Sequence, residues 1–238
     1  MKPVSKSLYI VSTPIGNLDD ITLRAIKVLK NSDIILCEDT RRSLKLLNHL
    51  KIKKKLISYH KFNEKKNVEM IKSMIANGKI VSLISDAGTP LISDPGKVIV
   101  NELIKSEIDI IPIPGVSSVS AAVSVSGFSN NYYFTGFLPE KKSEIERELK
   151  ELSKLNCSIV FFISPKKINK ITPIIKNLFL NRQILICREM TKVYETFYRK
   201  EVNKLDQLEI KNKGEITVVI SEKKTTKKIS SLLSESDK

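Results

Sequence analysis

Apolar and polar positions alternate along the first half of the chain in a strand-then-helix order. Five short apolar runs predict strands at residues 8–11, 33–37, 56–59, 80–84 and 108–113. Segments with apolar residues every three or four positions lie between or after them, at residues 22–30, 44–50, 68–76, 97–105 and 119–126. That spacing is typical of one face of a helix, and Asp20 is the expected N-cap of the first one. Strands that alternate with helices predict an α/β domain with a mostly parallel sheet and helices on both faces.

The second half of the chain has a different order of elements. Strands are predicted at residues 132–135, 157–163, 183–187, 196–198 and 215–220. Helices are predicted at 143–154, with Ser143 as its cap, and at 165–178. This order predicts a mixed α/β domain behind a linker at residues 127–131. We therefore expect an N-terminal domain over residues 1–126 and a C-terminal domain over 127–222. The Lys/Ser/Thr-rich residues 223–238 are expected to form a disordered basic tail.

The loop Ser85–Gly96, with sequence SDAGTPLISDPG, follows the fourth predicted strand. Its prolines and glycines predict a stiff loop, and it is longer than a plain strand-to-helix connection needs. Ligands of open parallel sheets bind at the carboxyl ends of the strands. Polar loops at Thr13, Glu38 and Pro114 follow other strands and are expected to line the same crevice. The alternative is an ordinary crossover loop with a helix start at Asp94-Pro95.

The charge of the chain narrows the choice of partners. A net charge of +15 and a pI near 9.6 favour an anionic partner, with nucleic acid first. The alternative is that an A+T-rich genome produced the many lysines, isoleucines and asparagines. No apolar run approaches the roughly 20 residues that span a bilayer, so we expect a cytoplasmic protein with no membrane contact. The three cysteines lie in separate apolar runs, which predicts buried thiols and no metal site.

The usual nucleotide fingerprints, GxGxxG and GxxxxGK[ST], do not occur in the sequence. From the residues alone, the chain is a two-domain α/β enzyme with a loop-lined crevice, and its chemistry stays open. Its loops are nevertheless similar, in order and spacing, to those of a known family. The matching stretches are TPIGNLDDITLR (13–24), EDTR (38–41), LISYH (56–60), SDAGTPLISDPG (85–96), PIPG (112–115), GFLP (136–139) and REMTK (188–192).

These stretches resemble the tetrapyrrole methylase superfamily, and within it the branch that methylates ribose 2′-hydroxyls of small-subunit ribosomal RNA. The resemblance extends over most of the chain, roughly from Leu8 to Ile220. Two positions depart from the family pattern. Leu91 stands where a small residue is expected, and Ser164 follows an apolar residue where Glu is common.

The resemblance implies S-adenosylmethionine as cofactor, held in a cleft between the two domains. The residues implied to bind it are Pro14, Thr89, Ile92, Ser117 and Ser118, with Ile163 and Met190 from the second half of the chain. An adenosine needs close backbone approach, polar partners and apolar walls, which Gly/Pro-rich loops supply. For the two serines the alternative is a helix cap.

The implied reaction is 2′-O-methylation of a cytidine in the decoding region of 16S ribosomal RNA, by a homodimer that acts on the RNA or the small ribosomal subunit. A ribose hydroxyl is a poor nucleophile, so an acceptor for its proton is needed. Asp39, Glu38 and Asp94 are the candidates, with Asp39 or Glu38 preferred. The alternative is that these carboxylates pair with Arg41 and Arg42 and only order the loop.

The best phosphate ligands are Arg41, Arg42 and Arg188, because arginine is scarce here beside lysine and its guanidinium suits phosphate geometry. A splayed base could stack on Tyr59 or Phe62, whereas residues 132–134 are expected to pack in the core. Two other functions stay open. One is C-methylation of a porphyrin-like macrocycle, and the other is RNA binding without catalysis.

Overall fold

A computed structural model of the protein describes residues 6–223, which form two compact units. The first unit extends to Val125 and also includes Cys187–Thr196. The second comprises Ser126–Ile186 and the described residues from Phe197 onward. The segment Cys187–Thr196, expected in the C-terminal domain, thus groups with the first unit. The tail expected at residues 223–238 lies, except for Lys223, outside the described residues.

The first unit is built on a five-stranded parallel sheet. Its strands are β1 (Ser7–Val11), β2 (Ile34–Cys37), β3 (Lys55–Ser58), β4 (Val81–Ile84) and β5 (Asp109–Ile113). Its helices are α1 (Leu23–Asn31), α2 (Thr40–His49), α3 (Glu64–Ala76), α4 (Lys97–Lys105) and α5 (Ser118–Ser124). The strand order is β3-β2-β4-β1-β5, with every neighbouring pair parallel. The predicted parallel α/β fold is confirmed.

Both faces of this sheet are covered by helices, as predicted. Successive residues of a strand point to opposite faces. In β2, Leu36 packs in a cluster with residues of α3 and α4, whereas Ile35 packs in a second cluster with residues of α1 and α2. All residues of β2 and β4 are buried. Burial on both sides explains why these strands have continuous apolar sequences.

Two predicted helix caps differ from the structure. Thr22, not Asp20, caps α1, and its hydroxyl accepts a hydrogen bond from the Ala25 N–H at 3.0 Å. Asp20 instead ends a 3₁₀ turn, Leu18–Asp20. The C-terminal helix α6 (Lys142–Ser153) begins one residue before Ser143, so this serine is not its cap. Helix α4 begins at Lys97, as predicted, after Gly96 with φ +135°, and not at Asp94-Pro95 as the alternative had it.

The second unit contains a five-stranded mixed sheet, as predicted. Its strands are β6 (Tyr132–Phe137), β7 (Ser158–Ile163), β8 (Gln183–Arg188), β9 (Thr196–Glu201) and β10 (Ile216–Ile220). The strand order is β6-β7-β10-β8-β9; β6 runs parallel to β7, and β10 antiparallel to it. Helices α6 and α7 (Pro165–Leu178) contribute to its apolar core.

A buried arginine joins separate segments of this unit. The Arg182 guanidinium donates hydrogen bonds to the carbonyl oxygens of Ser153 at 2.7 Å, Leu155 at 2.8 Å and Ser221 at 3.1 Å.

Elsewhere in the chain, Cys37 and Cys187 are buried and Cys157 is partly buried. No helix within residues 6–223 is both long and apolar enough to cross a membrane.

Candidate active site

The loops after β1, β4 and β5 are joined to one another at the carboxyl edge of the parallel sheet. Thr13 and Gly88 exchange two backbone hydrogen bonds, of 2.9 and 3.0 Å. The Thr13 hydroxyl also donates to the Ser85 carbonyl at 3.1 Å. The Ser85 hydroxyl in turn donates to the Gly88 carbonyl at 3.0 Å. The turn that starts the loop Ser85–Gly96 is therefore fixed by several hydrogen bonds.

Thr89 connects this corner to the loop after β5. Its hydroxyl donates to the Val116 carbonyl at 3.0 Å and lies 3.0 Å from the hydroxyl oxygen of Ser12. Gly115 lies so close to Ser12 that a Cβ atom at position 115 would be 2.8 Å from the serine Cβ. Only glycine allows this approach without displacement. The three loops thus form one ordered surface of backbone groups and small side chains.

The residues predicted to bind the cofactor are distributed around this corner and beyond it. Pro14 is buried, Thr89, Ser117 and Ser118 are half-buried, and Ile92 is 43% exposed. Ser117 occupies the N-cap position of α5, but its side chain makes no capping hydrogen bond. The cap alternative therefore does not occupy this hydroxyl. Two further candidates, Ile163 in the core of the second unit and Met190 in the first unit, are buried.

The loop Ser85–Gly96 contains two residues in the left-handed conformation. Leu91 and Ser93 both have φ of +69°, which costs a non-glycine residue about 1–3 kcal/mol. This finding explains why a small residue is expected at position 91. The leucine side chain packs against the apolar cluster beside α3 and α4, and a Cβ on Gly96 would lie 2.9 Å from it.

Three carboxylates interact near the start and end of this loop: Glu38, Asp86 and Asp94. Burial, followed by the charges of Glu38 and Asp86, raises the pKa of Asp94 to about 7, although a hydrogen bond to Ser85 opposes the rise. Burial and the charge of Asp86 also raise the pKa of Glu38. Among the described residues, no basic side chain forms an ion pair with Asp94. We refer to these three residues as the acidic cluster.

Asp39 lies next to the acidic cluster, but its environment is different. It caps α2, and its carboxylate accepts hydrogen bonds from the Arg41 backbone N–H at 2.9 Å and from the Arg41 guanidinium at 2.7 and 3.1 Å. These bonds lower the pKa of Asp39 to about 2. The backbone N–H of Asp39 donates to Asp86 at 3.1 Å. The geometry of Asp39 is therefore that of the alternative in which the carboxylate orders the loop.

Sequence reasoning missed two residues of this region. Asp86 lies in the quoted loop immediately after β4, and its position beside the strand end was the available signal. Glu64 is a buried carboxylate whose Oε1 accepts a hydrogen bond of 2.6 Å from the Gly96 N–H. That hydrogen bond fixes the end of the loop Ser85–Gly96. Nothing in the polar stretch around Glu64 indicates this long-range contact.

The predicted phosphate ligands differ in exposure. The side chains of Arg41 and Arg42 are 86% and 61% exposed, and Arg42 Nε lies 3.6 Å from an Asp86 carboxylate oxygen. Arg188 is buried, and its guanidinium donates to the Tyr194 carbonyl at 3.1 Å. The structure therefore brings the first two beside the acidic cluster, whereas the buried position of Arg188 leaves little of its guanidinium for a phosphate.

The fold and this loop arrangement define a class of methyltransferase. A family model described as tetrapyrrole (corrin/porphyrin) methylases matches residues 7–206, and the chain belongs to this family. Among curated proteins, it is 45% identical to a ribosomal RNA small subunit methyltransferase I of Mesomycoplasma conjunctivae, over 94% of this chain and 96% of that protein. It is 46% identical to the protein of the same name from Thermotoga maritima, over 91% and 98% of the two chains.

Solved structures of more distant proteins share the fold. A cobalt precorrin-4 methyltransferase of cobalamin biosynthesis superposes with a TM-score of 0.65 at 21% identity, over 91% of this chain and 95% of that one. A uroporphyrin-III C-methyltransferase from Thermus thermophilus gives a TM-score of 0.62 at 16% identity, over 91% and 94%. These structures support the predicted fold class.

Proposed function

We propose that the protein uses S-adenosylmethionine to methylate the ribose 2′-hydroxyl of a cytidine in the decoding region of 16S ribosomal RNA. The observation that carries this proposal is the acidic cluster, flanked by two exposed arginines at the carboxyl edge of the sheet. The names of the relatives at about 45% identity support a small-subunit ribosomal RNA substrate. The net charge of +15 also suits a polyanion.

The loops of the first unit have the chemistry that the cofactor needs. The hydroxyls of Thr89, Ser117 and Ser118 and the backbone groups of the joined loops are suitable partners for a nucleoside and an amino acid. The exposed Ile92 offers an apolar surface for the adenine. When bound, S-adenosylmethionine would supply an electrophilic methyl group on its sulfonium. The contributions of Pro14, Ile163 and Met190 stay predictions.

Within the acidic cluster, Asp94 is the best acceptor for the proton of the attacking 2′-hydroxyl. A general base works best when its pKa lies near the working pH, and the pKa of Asp94 is about 7. Asp39, with a pKa of about 2, is too weak a base and is held by Arg41. We therefore assign proton acceptance to Asp94 rather than to Asp39 or Glu38, which the sequence favoured. Glu38 would act by raising the pKa of Asp94.

Arg41 and Arg42 would hold phosphates that flank the target ribose. Both guanidiniums are exposed, and both follow β2 at the edge where the acidic cluster lies. Arginine can bind phosphate oxygens in a fork, which fixes the register of an RNA strand without reading its sequence. Holding the ribose in a fixed orientation relative to the base and the methyl group would contribute much of the rate enhancement.

The test is transfer of tritium from labelled S-adenosylmethionine to three acceptors in parallel. These are small ribosomal subunits from a strain that lacks the gene, the naked ribosomal RNA, and a porphyrin precursor. Label in an alkali-resistant dinucleotide is the expected result, because 2′-O-methylation blocks hydrolysis of the next phosphodiester. Asp94→Asn should slow the transfer strongly, whereas Asp109→Asn, at an exposed position at the start of β5, should leave it unchanged.

Other outcomes would refute the proposal. Label in the macrocycle would assign the protein to C-methylation of tetrapyrroles. RNA binding with no transfer to any acceptor, by a protein that also fails to bind the cofactor, would indicate a binding protein without catalysis.

A further inference from the structure

One large aromatic side chain of the first unit is almost fully exposed. Phe62 lies between β3 and α3 with 86% of its surface accessible, whereas Tyr59, three residues earlier, is completely buried. An exposed phenylalanine ring contributes no burial to the fold. Its position is therefore not explained by packing of the first unit.

The turn that carries Phe62 is ordered by hydrogen bonds. Asn63 accepts a hydrogen bond from the His60 N–H at 2.9 Å, and its side-chain amide donates to the Ser58 carbonyl at 3.0 Å. The ring of His60 meets the Phe62 ring edge-on, with centroids 6.0 Å apart. The aromatic ring is thus presented to solvent from a fixed turn.

The surroundings of the ring are positively charged. Lys61 Nζ lies 5.1 Å from the centroid of the Phe62 ring. His60, Arg42 and Lys61 lie near enough to Glu38 for their charges to oppose the rise in the pKa of that carboxyl. The turn that carries Phe62 therefore lies close to Glu38 of the acidic cluster and brings basic side chains to it. An apolar protein partner would not require these charges, whereas a nucleotide joins a flat base to a phosphate.

We propose that Phe62 stacks on an unpaired nucleobase of the RNA substrate, while Lys61 contacts a neighbouring phosphate. This inference rests on the proposed function and identifies a specificity-determining side chain for it. Proteins that bind single-stranded RNA use exposed aromatic rings beside basic residues in this way. A base held there would strengthen binding of the RNA beside the acidic cluster.

The experiment compares substitutions that separate ring stacking from apolar contact. Phe62→Ala and Phe62→Leu both remove the aromatic face, Phe62→Trp keeps it, and Ile104→Ala removes an exposed apolar side chain from α4 as a control. With small subunits as acceptor, Ala and Leu should raise KM about 5- to 100-fold and leave kcat unchanged. The Trp and Ile104 variants should behave like the wild type. A wild-type KM for Phe62→Leu would overturn the inference.

A binding measurement distinguishes this inference from the proposed function. A single-stranded RNA that contains 2-aminopurine is titrated with protein in the absence of turnover. If the wild type quenches the 2-aminopurine fluorescence and Phe62→Leu does not, stacking is supported. If ribosomal RNA is methylated but Phe62→Ala and Phe62→Leu both quench the 2-aminopurine fluorescence and turn over normally, only the stacking inference fails. If the wild type methylates the macrocycle and does not quench the fluorescence of the 2-aminopurine RNA, both proposals fail.

Discussion

Replacing Asp94 with asparagine should stabilise the folded protein at alkaline pH and strongly reduce its activity. The pKa of Asp94 rises from 3.8 to about 7 on folding, because the side chain is largely removed from water near Glu38 and Asp86. The unfolded chain therefore binds fewer protons than the folded chain between about pH 4 and pH 7. The free energy of unfolding falls as the pH rises through this interval.

The magnitude follows from the size of the shift. One pKa unit corresponds to about 1.4 kcal/mol, so the full shift would cost the ionised folded state about 4 kcal/mol. Because water reaches part of the Asp94 side chain, we expect about 2–4 kcal/mol. Asparagine has a similar shape and no charge. Asp94→Asn should therefore unfold like the wild type near pH 4 and exceed it in stability by this amount at pH 8.

The assay is urea unfolding of the wild type and of Asp94→Asn at several pH values from 4 to 8, with Asp109→Asn as the exposed control. Methyl transfer is measured over the same range. We expect the wild-type kcat to increase with pH and to level off above pH 7. The kcat of Asp94→Asn should be about 10²- to 10⁴-fold lower than that of the wild type. A stability difference that does not change with pH would refute the environment assigned to Asp94. Retained activity would refute its function as the base.

Substitutions at three further positions test parts of the structure outside the acidic cluster. Arg182→Met should lower the free energy of unfolding by roughly 3 kcal/mol, since three buried or partly buried backbone carbonyls lose their donor; an unchanged urea midpoint would contradict this. Gly16→Ala should cost about 1–3 kcal/mol in a thermal melt, because its Cβ would lie 2.5 Å from Lys192 Cγ. Leu91→Gly should be more stable than Leu91→Ala in urea unfolding, because both lose the packing and only glycine relieves the positive φ; the reverse order would exclude strain at this position.

The regular elements were predictable where local signals agree with burial. Helices α4 and α7 match the prediction at both ends, and α7 begins with Pro165, a residue favoured in the first helical turn. The cap of α1 was wrong because two polar residues, Asp20 and Thr22, precede the helix. Only the backbone geometry shows which of them accepts the N–H of Ala25.

Exposure of aromatic residues was less predictable than the elements that carry them. Tyr132 and Tyr133 were expected in the core, yet they are 39% and 49% exposed. Strand β6 lies at the edge of its sheet, and an apolar run does not tell an edge strand from a central one. Tyr59 was a stacking candidate and is fully buried, whereas Phe62 is the exposed ring of that loop.

The division of labour among the carboxylates could not be read from the sequence, for a specific physical reason. Asp39 and Asp94 are both aspartates in polar loops after strands, and local sequence treats them alike. Their pKa values nevertheless differ, at about 2 and about 7. The first value is set by a neighbour within the same turn, Arg41, which a sequence can suggest. The second is set by burial and by Glu38, which follows a different strand and meets Asp94 only after the parallel sheet has formed. A base of this kind is created by the fold, so its identification requires the three-dimensional arrangement of the loops.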